Sequence, residues 1–292
     1  MVVRPSTLLK AAALCAVAFL AMLALAYGSP DARWLDASAF QGFLGLQRPD
    51  VSRLTTWLGH LGDPPQVAAI ALVLAGVALA RGRPRMAALV LLLVALTSIS
   101  SQLLKALLAY PRYDDLIDGA RVAPAAFPSG HATASMTLAI ALVLVVSPRL
   151  RPAAAVVGAA LALGVSFSVV SMGWHFPSDV IGGFLLATGW SLVLLAGLRA
   201  LDARYPERAG RGALARRSRA VVDAVSGAGL VLALVAGAIA TVIVVLGLVA
   251  FRLPDLVGYA QEHTVFFVVA ALLVASVAVL LRLVAEAAAR RG

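Results

Sequence analysis

The sequence predicts an all-α protein, a polytopic bundle of helices that crosses a membrane. Hydrophobic residues make up 62% of the 292 residues and charged residues only 13%, whereas soluble domains are about 45–50% apolar. Apolar runs long enough to cross a bilayer recur along the whole chain. Most of the 24 lysines and arginines lie in segments between alternate runs, which is the bias expected of cytoplasmic loops.

Eight apolar runs are the predicted spans. We expect the first to be an uncleaved anchor, because it is longer than the apolar core of a typical signal peptide. Pro111 follows the third run and cannot continue a helix. The mixed segment 29–65 has aromatic residues between charges, which favours helices lying in the membrane interface. The predicted spans are about 11–27, 66–80, 86–110, 130–146, 153–174, 178–198, 226–251 and 264–281.

The arginine-rich segments predict a cell-membrane protein with both termini in the cytoplasm. In that orientation three polar stretches, 105–113, 127–131 and 173–179, end on the extracytoplasmic side. The net charge of +10 then indicates contact with anionic lipid headgroups. We expect no nucleic-acid partner, because basic stripes with interleaved aromatic residues are absent from the sequence. The single cysteine, Cys15, excludes an internal disulfide and a cysteine-based zinc site.

The first polar stretch carries two cations at the end of the third span. Lys105 and Arg112 are about two helical turns apart and can face the same way. A lysine point charge and an arginine fork together suit a phosphoryl group. The alternative is that both side chains only reach toward the membrane interface.

The second stretch opens the fourth span. Ser129 is a natural N-cap, Gly130 permits close approach of a ligand, and His131 can hand a proton to a leaving oxygen. Free N–H groups and the helix dipole favour an anion at such a helix start. The alternative is an ordinary capped helix with an incidental histidine.

The third stretch joins the fifth and sixth spans and pairs His175 with Asp179. A carboxylate that holds one ring nitrogen's proton leaves the other nitrogen free as a nucleophile. The alternative is a capping aspartate beside a lone interfacial histidine.

Together the three stretches resemble the type 2 phosphatidic acid phosphatases and their haloperoxidase-like relatives. That family carries K-x6-R-P, P-S-G-H and S-R-x5-H-x3-D. This chain has Lys105-x6-Arg112, the run 128–131 (PSGH), and Ser168 followed by His175-x3-Asp179. The resemblance covers about residues 50–200. It implies a phosphatase-like core over residues 1–203, followed by a basic segment and two additional spans over 204–292.

The resemblance implies covalent catalysis without metal or other cofactor. His175 would attack phosphorus while Asp179 orients its ring. Lys105, Arg112 and the backbone near Ser129 and Gly130 would hold the phosphoryl oxygens. His131 would protonate the departing alcohol and then activate water against the phosphohistidine. The expected activity is that of a phosphomonoesterase or diphosphatase acting on a lipid phosphate.

The chain departs from the family motifs at two positions. Tyr113 replaces the proline of the first motif, and Val169 replaces the arginine of the third, which in the family helps to bind phosphate. Arg121, between the first two motifs, is the candidate replacement. Val169 also keeps two alternatives open: a phosphoryl or headgroup transferase that uses the same site, and a non-catalytic protein that binds or transports a lipid phosphate.

Several other ionisable residues receive no catalytic role. The acidic run Asp114, Asp115 and Asp118 favours a solvated loop over the alternative, a site that recruits a cation. We interpret His60 and His263 as interfacial residues without companions.

Overall fold

The chain folds into a bundle of helices. The computed structural model describes residues 4–47, 49–109, 122–206, 258–259 and 261–289, and this part of the chain contains no strand. The predicted all-α membrane bundle is therefore confirmed. Nine α-helices are described, with a short 3₁₀ turn, Pro148–Leu150, before the seventh: α1 Pro5–Gly28, α2 Pro30–Leu44, α3 Pro49–His60, α4 Pro64–Ala80, α5 Pro84–Leu107, α6 Gly130–Val145, α7 Arg151–Ser171, α8 Pro177–Arg204 and α9 Thr264–Ala289.

Prolines set the starts of many of these helices. A proline occupies the first turn of α1, α2, α4, α5, α7 and α8. The missing N–H of proline costs nothing there, because the first N–H groups of a helix have no intrahelical partner. Short connections between apolar segments therefore follow directly from where the prolines stand.

The helices agree with a multi-pass membrane protein. In the described ranges, five are long and apolar enough to cross a bilayer, and α3 with α4 forms a further candidate bent by 57°. Helix α6 is shorter, with 16 residues. The predicted span over 226–251 lies outside the described residues. The total of eight spans and the division at residues 203 and 204 stay predictions.

Helix α6 is the centre of the bundle. Twelve of its 16 residues are buried, and α4, α5, α7, α8 and α9 all pack against it. Close packing against α7 depends on Gly158, where an added Cβ would lie 2.8 Å from the Cβ of Ala139. Small residues permit such approach between helices in a membrane. The start of α6 is thus held by its neighbours on several sides.

Arginines collect at one end of the bundle, and the described parts of the three polar stretches, 105–109, 127–131 and 173–179, lie at the other. Arg83 donates to the carbonyl oxygen of Leu144 over 3.1 Å, and Arg85 pairs with Asp202 at 2.8 Å. These contacts join the start of α5 to the ends of α6 and α8. The charge pattern of the loops therefore corresponds to a real division between two ends of the molecule.

The fifth predicted span ends earlier than the hydropathy suggests. Helix α7 stops at Ser171, and Gly173 follows with a φ of +78°. A residue with a side chain rarely adopts that conformation, whereas glycine does so freely. The turn reverses the chain, so that His175 precedes α8 at the same end of the bundle as the start of α6.

Candidate active site

The second and third polar stretches are joined directly through the main chain. The N–H of Ser129, just before α6, donates to the carbonyl oxygen of Asp179 in the first turn of α8 over 2.9 Å. The side chain of Ser129 accepts from the N–H of Ala132 over 3.3 Å, as predicted for an N-cap. Two helix starts, each with N–H groups that lack an intrahelical partner, therefore lie side by side.

His175 and Asp179 form a buried pair at this junction. Oδ2 of Asp179 lies 3.4 Å from Nδ1 of His175 and accepts from the N–H of Phe176 over 3.0 Å. Asp179 is 0% exposed and His175 is 6% exposed. Because the carboxylate engages Nδ1, it orients the ring so that Nε2 is the nitrogen available for chemistry.

Lys105 and Ser101 approach the start of α6 from the last two turns of α5. A Cβ added to Gly130 would lie 3.5 Å from Nζ of Lys105 and 3.8 Å from Oγ of Ser101. Ser101 is 1% exposed, and among the described residues its hydroxyl has no hydrogen-bond partner. An ammonium group and a hydroxyl thus lie beside the helix start, where an anion is favoured.

His131 lies on the same side as His175. Their ring centroids are 6.4 Å apart, and the ring of Trp174 is 5.6 Å from that of His131. Nε2 of His131 is 3.1 Å from Oδ1 of Asp63, in the turn between α3 and α4. The two histidines therefore face one region from two different helix starts.

Asp63 also contacts His60, because Nδ1 of that histidine lies 2.7 Å from Oδ2. The hydrogen bond from His60, with a further one from His131, lowers the pKa of the Asp63 carboxyl below its ordinary value. This group is therefore charged at neutral pH. The interpretation of His60 and His263 as residues without companions is wrong, since Asp63 is the partner of His60 and the ring of His263 stacks on that of Tyr259.

A carboxylate on the neighbouring helix α2 supports the start of α8. Asp36, on α2, accepts from the N–H of Ser178 over 3.0 Å and from its hydroxyl over 2.6 Å. Asp36 is 9% exposed. Its helix also buries Phe40, whose ring lies 4.8 Å from that of Phe176. Helix α2 thus holds the turn that carries His175 and Asp179.

The predicted site residues divide into two groups. The structure brings together Lys105, Ser129, Gly130, His131, His175 and Asp179. Arg112 and Arg121 lie outside the described residues. Val169 is 0% exposed and belongs to the hydrophobic core, so it offers no polar group to a ligand.

Comparison with known proteins agrees with this geometry. Residues 86–201 match the family model described as the PAP2 superfamily. This region belongs to the PAP2 superfamily. It contains α6, α7 and most of α5 and α8, and the three polar stretches fall within it in the sequence, so the suspected family is confirmed.

The fold also has a solved counterpart. The chain is similar to a crystal structure described as the first transmembrane PAP2 type phosphatidylglycerolphosphate phosphatase from Bacillus subtilis, with a TM-score of 0.53 and 22% sequence identity. The match covers 68% of this chain and 98% of that one. No curated protein matches the sequence. At this level of identity the likeness establishes a shared membrane fold.

Sequence reasoning missed three polar groups at this site, Asp63, Ser101 and Asp36. In the sequence, Asp63 only marks a helix start before Pro64 and Pro65. Asp36 and Ser101 carry no motif, and serine is common in membrane helices. One usable indication existed: His60 and Asp63 are three residues apart, a spacing that brings side chains together at a helix end.

Proposed function

We propose that this PAP2-superfamily protein is an integral membrane phosphatase that hydrolyses a lipid phosphate or diphosphate through a phosphohistidine intermediate. The observation that carries the proposal is the convergence of His131, the His175–Asp179 pair and Lys105 on the start of α6. This set offers a nucleophile, a proton donor and a cation around one anion site. Phosphoryl transfer needs such positioning and charge stabilisation above all.

In the first step, Nε2 of His175 attacks phosphorus in line with the departing alcohol oxygen. Asp179 holds the proton on Nδ1 and stabilises the positive charge that grows on the ring. Lys105 and the N–H groups at the start of α6 stabilise the phosphoryl oxygens. His131 donates a proton to the alcohol oxygen as the P–O bond breaks.

In the second step, water replaces the histidine on phosphorus. His131, having lost its proton, takes one from the attacking water and so returns to its starting state. Inorganic phosphate leaves, and His175 is free again. His131 thus gives a proton to the alcohol in the first step and regains one from water in the second, whose remaining O–H goes to phosphorus. We expect no requirement for a metal ion.

The substrate is proposed to enter from the membrane on the extracytoplasmic side. The arginines at the opposite end of the bundle support this orientation. The exposed apolar side chains of Leu107 and Trp174, close to Lys105 and His175 in the chain, suit entry from the membrane. Phosphatidic acid, phosphatidylglycerol phosphate and polyprenyl diphosphates all present a phosphate at the interface with an apolar tail in the bilayer. Phosphatidylglycerol phosphate has additional support, because the Bacillus subtilis protein of similar fold is a phosphatidylglycerolphosphate phosphatase.

The test is phosphate release from these three lipids by the purified protein in detergent micelles, with and without a chelator. His175→Ala should remove activity. His263→Ala is the matched control, because His263 lies outside the three polar stretches and its ring stacks on Tyr259, with the ring centroids 4.1 Å apart. Equal activity in the His175→Ala variant would exclude the assigned nucleophile, and loss of activity in the chelator would exclude the metal-independent mechanism.

The buried Val169 favours one other candidate, a protein that binds or moves a lipid phosphate without turnover. Loss of a charge-assisted contact with phosphate costs about 1.5–3 kcal/mol. Binding of the lipid without release of phosphate, equally strong in the unmodified protein and in His175→Ala, would support that candidate. A phosphorylated acceptor in place of free phosphate would identify a transferase.

A further inference from the structure

Asp63 stands outside the three motifs, yet it contacts one of their histidines. It lies 68 residues from His131 in the chain, and its Oδ1 is 3.1 Å from Nε2 of that histidine. Its other oxygen is 2.7 Å from Nδ1 of His60. Exposure of the side chains falls along this series, from 55% for His60 to 32% for Asp63 and 23% for His131.

The turn that carries Asp63 is fitted closely to the ring of His131. A Cβ added to Gly62 would lie 2.7 Å from Cδ2 of that ring and 3.1 Å from its Cβ. Main-chain bonds shape the turn, because the N–H of Asp63 donates to the carbonyl oxygen of His60 over 3.1 Å. The carboxylate therefore approaches His131 from a defined direction.

The two carboxylate–histidine contacts use different ring nitrogens. Asp179 engages Nδ1 of His175, whereas Asp63 engages Nε2 of His131. A carboxylate fixes the proton on the nitrogen it contacts and leaves the other nitrogen to exchange protons. Asp179 thus leaves Nε2 of His175 free to attack phosphorus. Asp63 leaves Nδ1 of His131 free to exchange a proton with the alcohol or water oxygen.

We infer that Asp63 is the positioning residue of the acid–base histidine His131, and that His60 holds Asp63 in place. This inference rests on the proposed function. Asp63 keeps a proton on Nε2 of His131 throughout the cycle. In the first step the Nδ1 proton passes to the alcohol oxygen as the P–O bond breaks and the P–N bond to His175 forms. In the second step Nδ1 takes a proton from water as the new P–O bond forms and the P–N bond breaks.

The experiment compares two substrates that differ in how much they need the acid. Departure of diacylglycerol from phosphatidic acid requires protonation of an alkoxide, whereas p-nitrophenolate leaves p-nitrophenyl phosphate without a proton. Release of the leaving group is measured in the first turnover, so that the later hydrolysis of the phosphoenzyme does not enter. The variants are Asp63→Asn, Asp63→Glu, His131→Ala and the double variant, with Asp31→Asn, at an exposed position on α2, as the matched control.

We expect Asp63→Asn to slow release from phosphatidic acid by about 10- to 100-fold and release from p-nitrophenyl phosphate by less than about threefold, with KM nearly unchanged. Asp63→Glu should recover part of the loss. The double variant should be no slower than His131→Ala alone. Equal losses on both substrates, or additive losses in the double variant, would overturn the inference while leaving the phosphatase proposal intact.

A spectroscopic measurement tests the role of Asp63 even if the unmodified protein releases neither diacylglycerol nor p-nitrophenolate and the phosphatase proposal itself fails. Imidazole ¹⁵N spectra of the protein in micelles report which ring nitrogen carries the proton. His131 should show the Nε2–H tautomer, and Asp63→Asn should shift its signals toward a mixture of tautomers. Identical His131 signals in the two proteins would show that Asp63 does not position this ring.

Discussion

Gly183 of α8 lies against the carbonyl oxygen of Ser129, and a Cβ added at Gly183 would be 2.9 Å from that oxygen. The same atom would lie 2.9 Å from the backbone nitrogen of Thr133. No real Cβ is tolerated so close to backbone, so the two helices approach to this distance only because residue 183 is glycine. The contact is one turn from Asp179 and two residues from His131. Separation of the helices would therefore separate the proposed nucleophile from the proposed acid.

Gly183→Ala should accordingly lower both stability and activity. Overpacking of this kind typically costs about 1–3 kcal/mol, so we expect a lower thermal midpoint of unfolding in micelles. The fractional loss of phosphate release should be larger than the fractional loss of stability. Gly197→Ala is the matched control on the same helix, since an added Cβ there meets nothing within 4 Å. That control should be neutral or stabilising by up to about 1 kcal/mol. Equal midpoints for the two variants would contradict the packing argument.

Asp179→Asn should separate catalysis from folding. An asparagine oxygen can still accept from the N–H of Phe176, so the start of α8 should persist. The amide carries no charge to stabilise the His175 ring, and we expect turnover to fall by about 10²- to 10⁴-fold with little change in KM.

The control for this prediction is Asp202→Asn, at the other end of α8, which removes the ion pair with Arg85 and should leave turnover unchanged. Phosphate release as a function of substrate concentration measures both parameters. Unaltered turnover in Asp179→Asn would remove this carboxylate from the mechanism.

The sequence predicts local features of the site and misses those created by packing. The N-cap role of Ser129 follows from residue spacing at the start of α6, and the His175–Asp179 pair follows from spacing at the start of α8. Both features are present. Asp63 and Asp36 act across 68 and 142 residues respectively. Their contacts depend on where α2 and the α3–α4 turn settle on the bundle, which periodicity and hydropathy do not encode.

The end of α7 illustrates the same limit at a helix boundary. Hydropathy continues through Trp174, yet the helix stops at Ser171 because Gly173 adopts a positive φ. Apolar character reports the preference of a segment for the membrane, whereas the backbone conformation of one residue decides where its helix ends. The fold class and the location of His131 and His175 on one side were therefore predictable, whereas the residue at which α7 ends was not.

Ser101→Ala tests the phosphate cradle beside Lys105. The hydroxyl is buried, and no partner for it exists among the described residues, so we expect a phosphoryl oxygen of the substrate to accept its hydrogen bond. Loss of one hydrogen bond to a charged phosphoryl oxygen is worth about 1.5–3 kcal/mol, and we expect kcat/KM for phosphatidic acid to fall by about 10- to 150-fold with a rise in KM. Ser98→Ala, exposed on the same helix, is the control. A stability gain without any kinetic change would assign Ser101 to packing alone.

The contact between Asp36 and Ser178 predicts a coupled pair that acts on the site from outside the motifs. The carboxylate accepts two hydrogen bonds from one residue at the start of α8, and hydrogen bonds to a buried charge are worth about 1.5–3 kcal/mol. Asp36→Asn should lower the thermal midpoint and reduce turnover, because the turn that carries His175 loses its support. Ser178→Ala removes the hydroxyl donor but keeps the main-chain donor, so its effect should be smaller. A double-mutant cycle on stability should show non-additivity, since both changes break the same contact. If the two losses simply add, the start of α8 is held by other contacts and Asp36 has no special influence on the site.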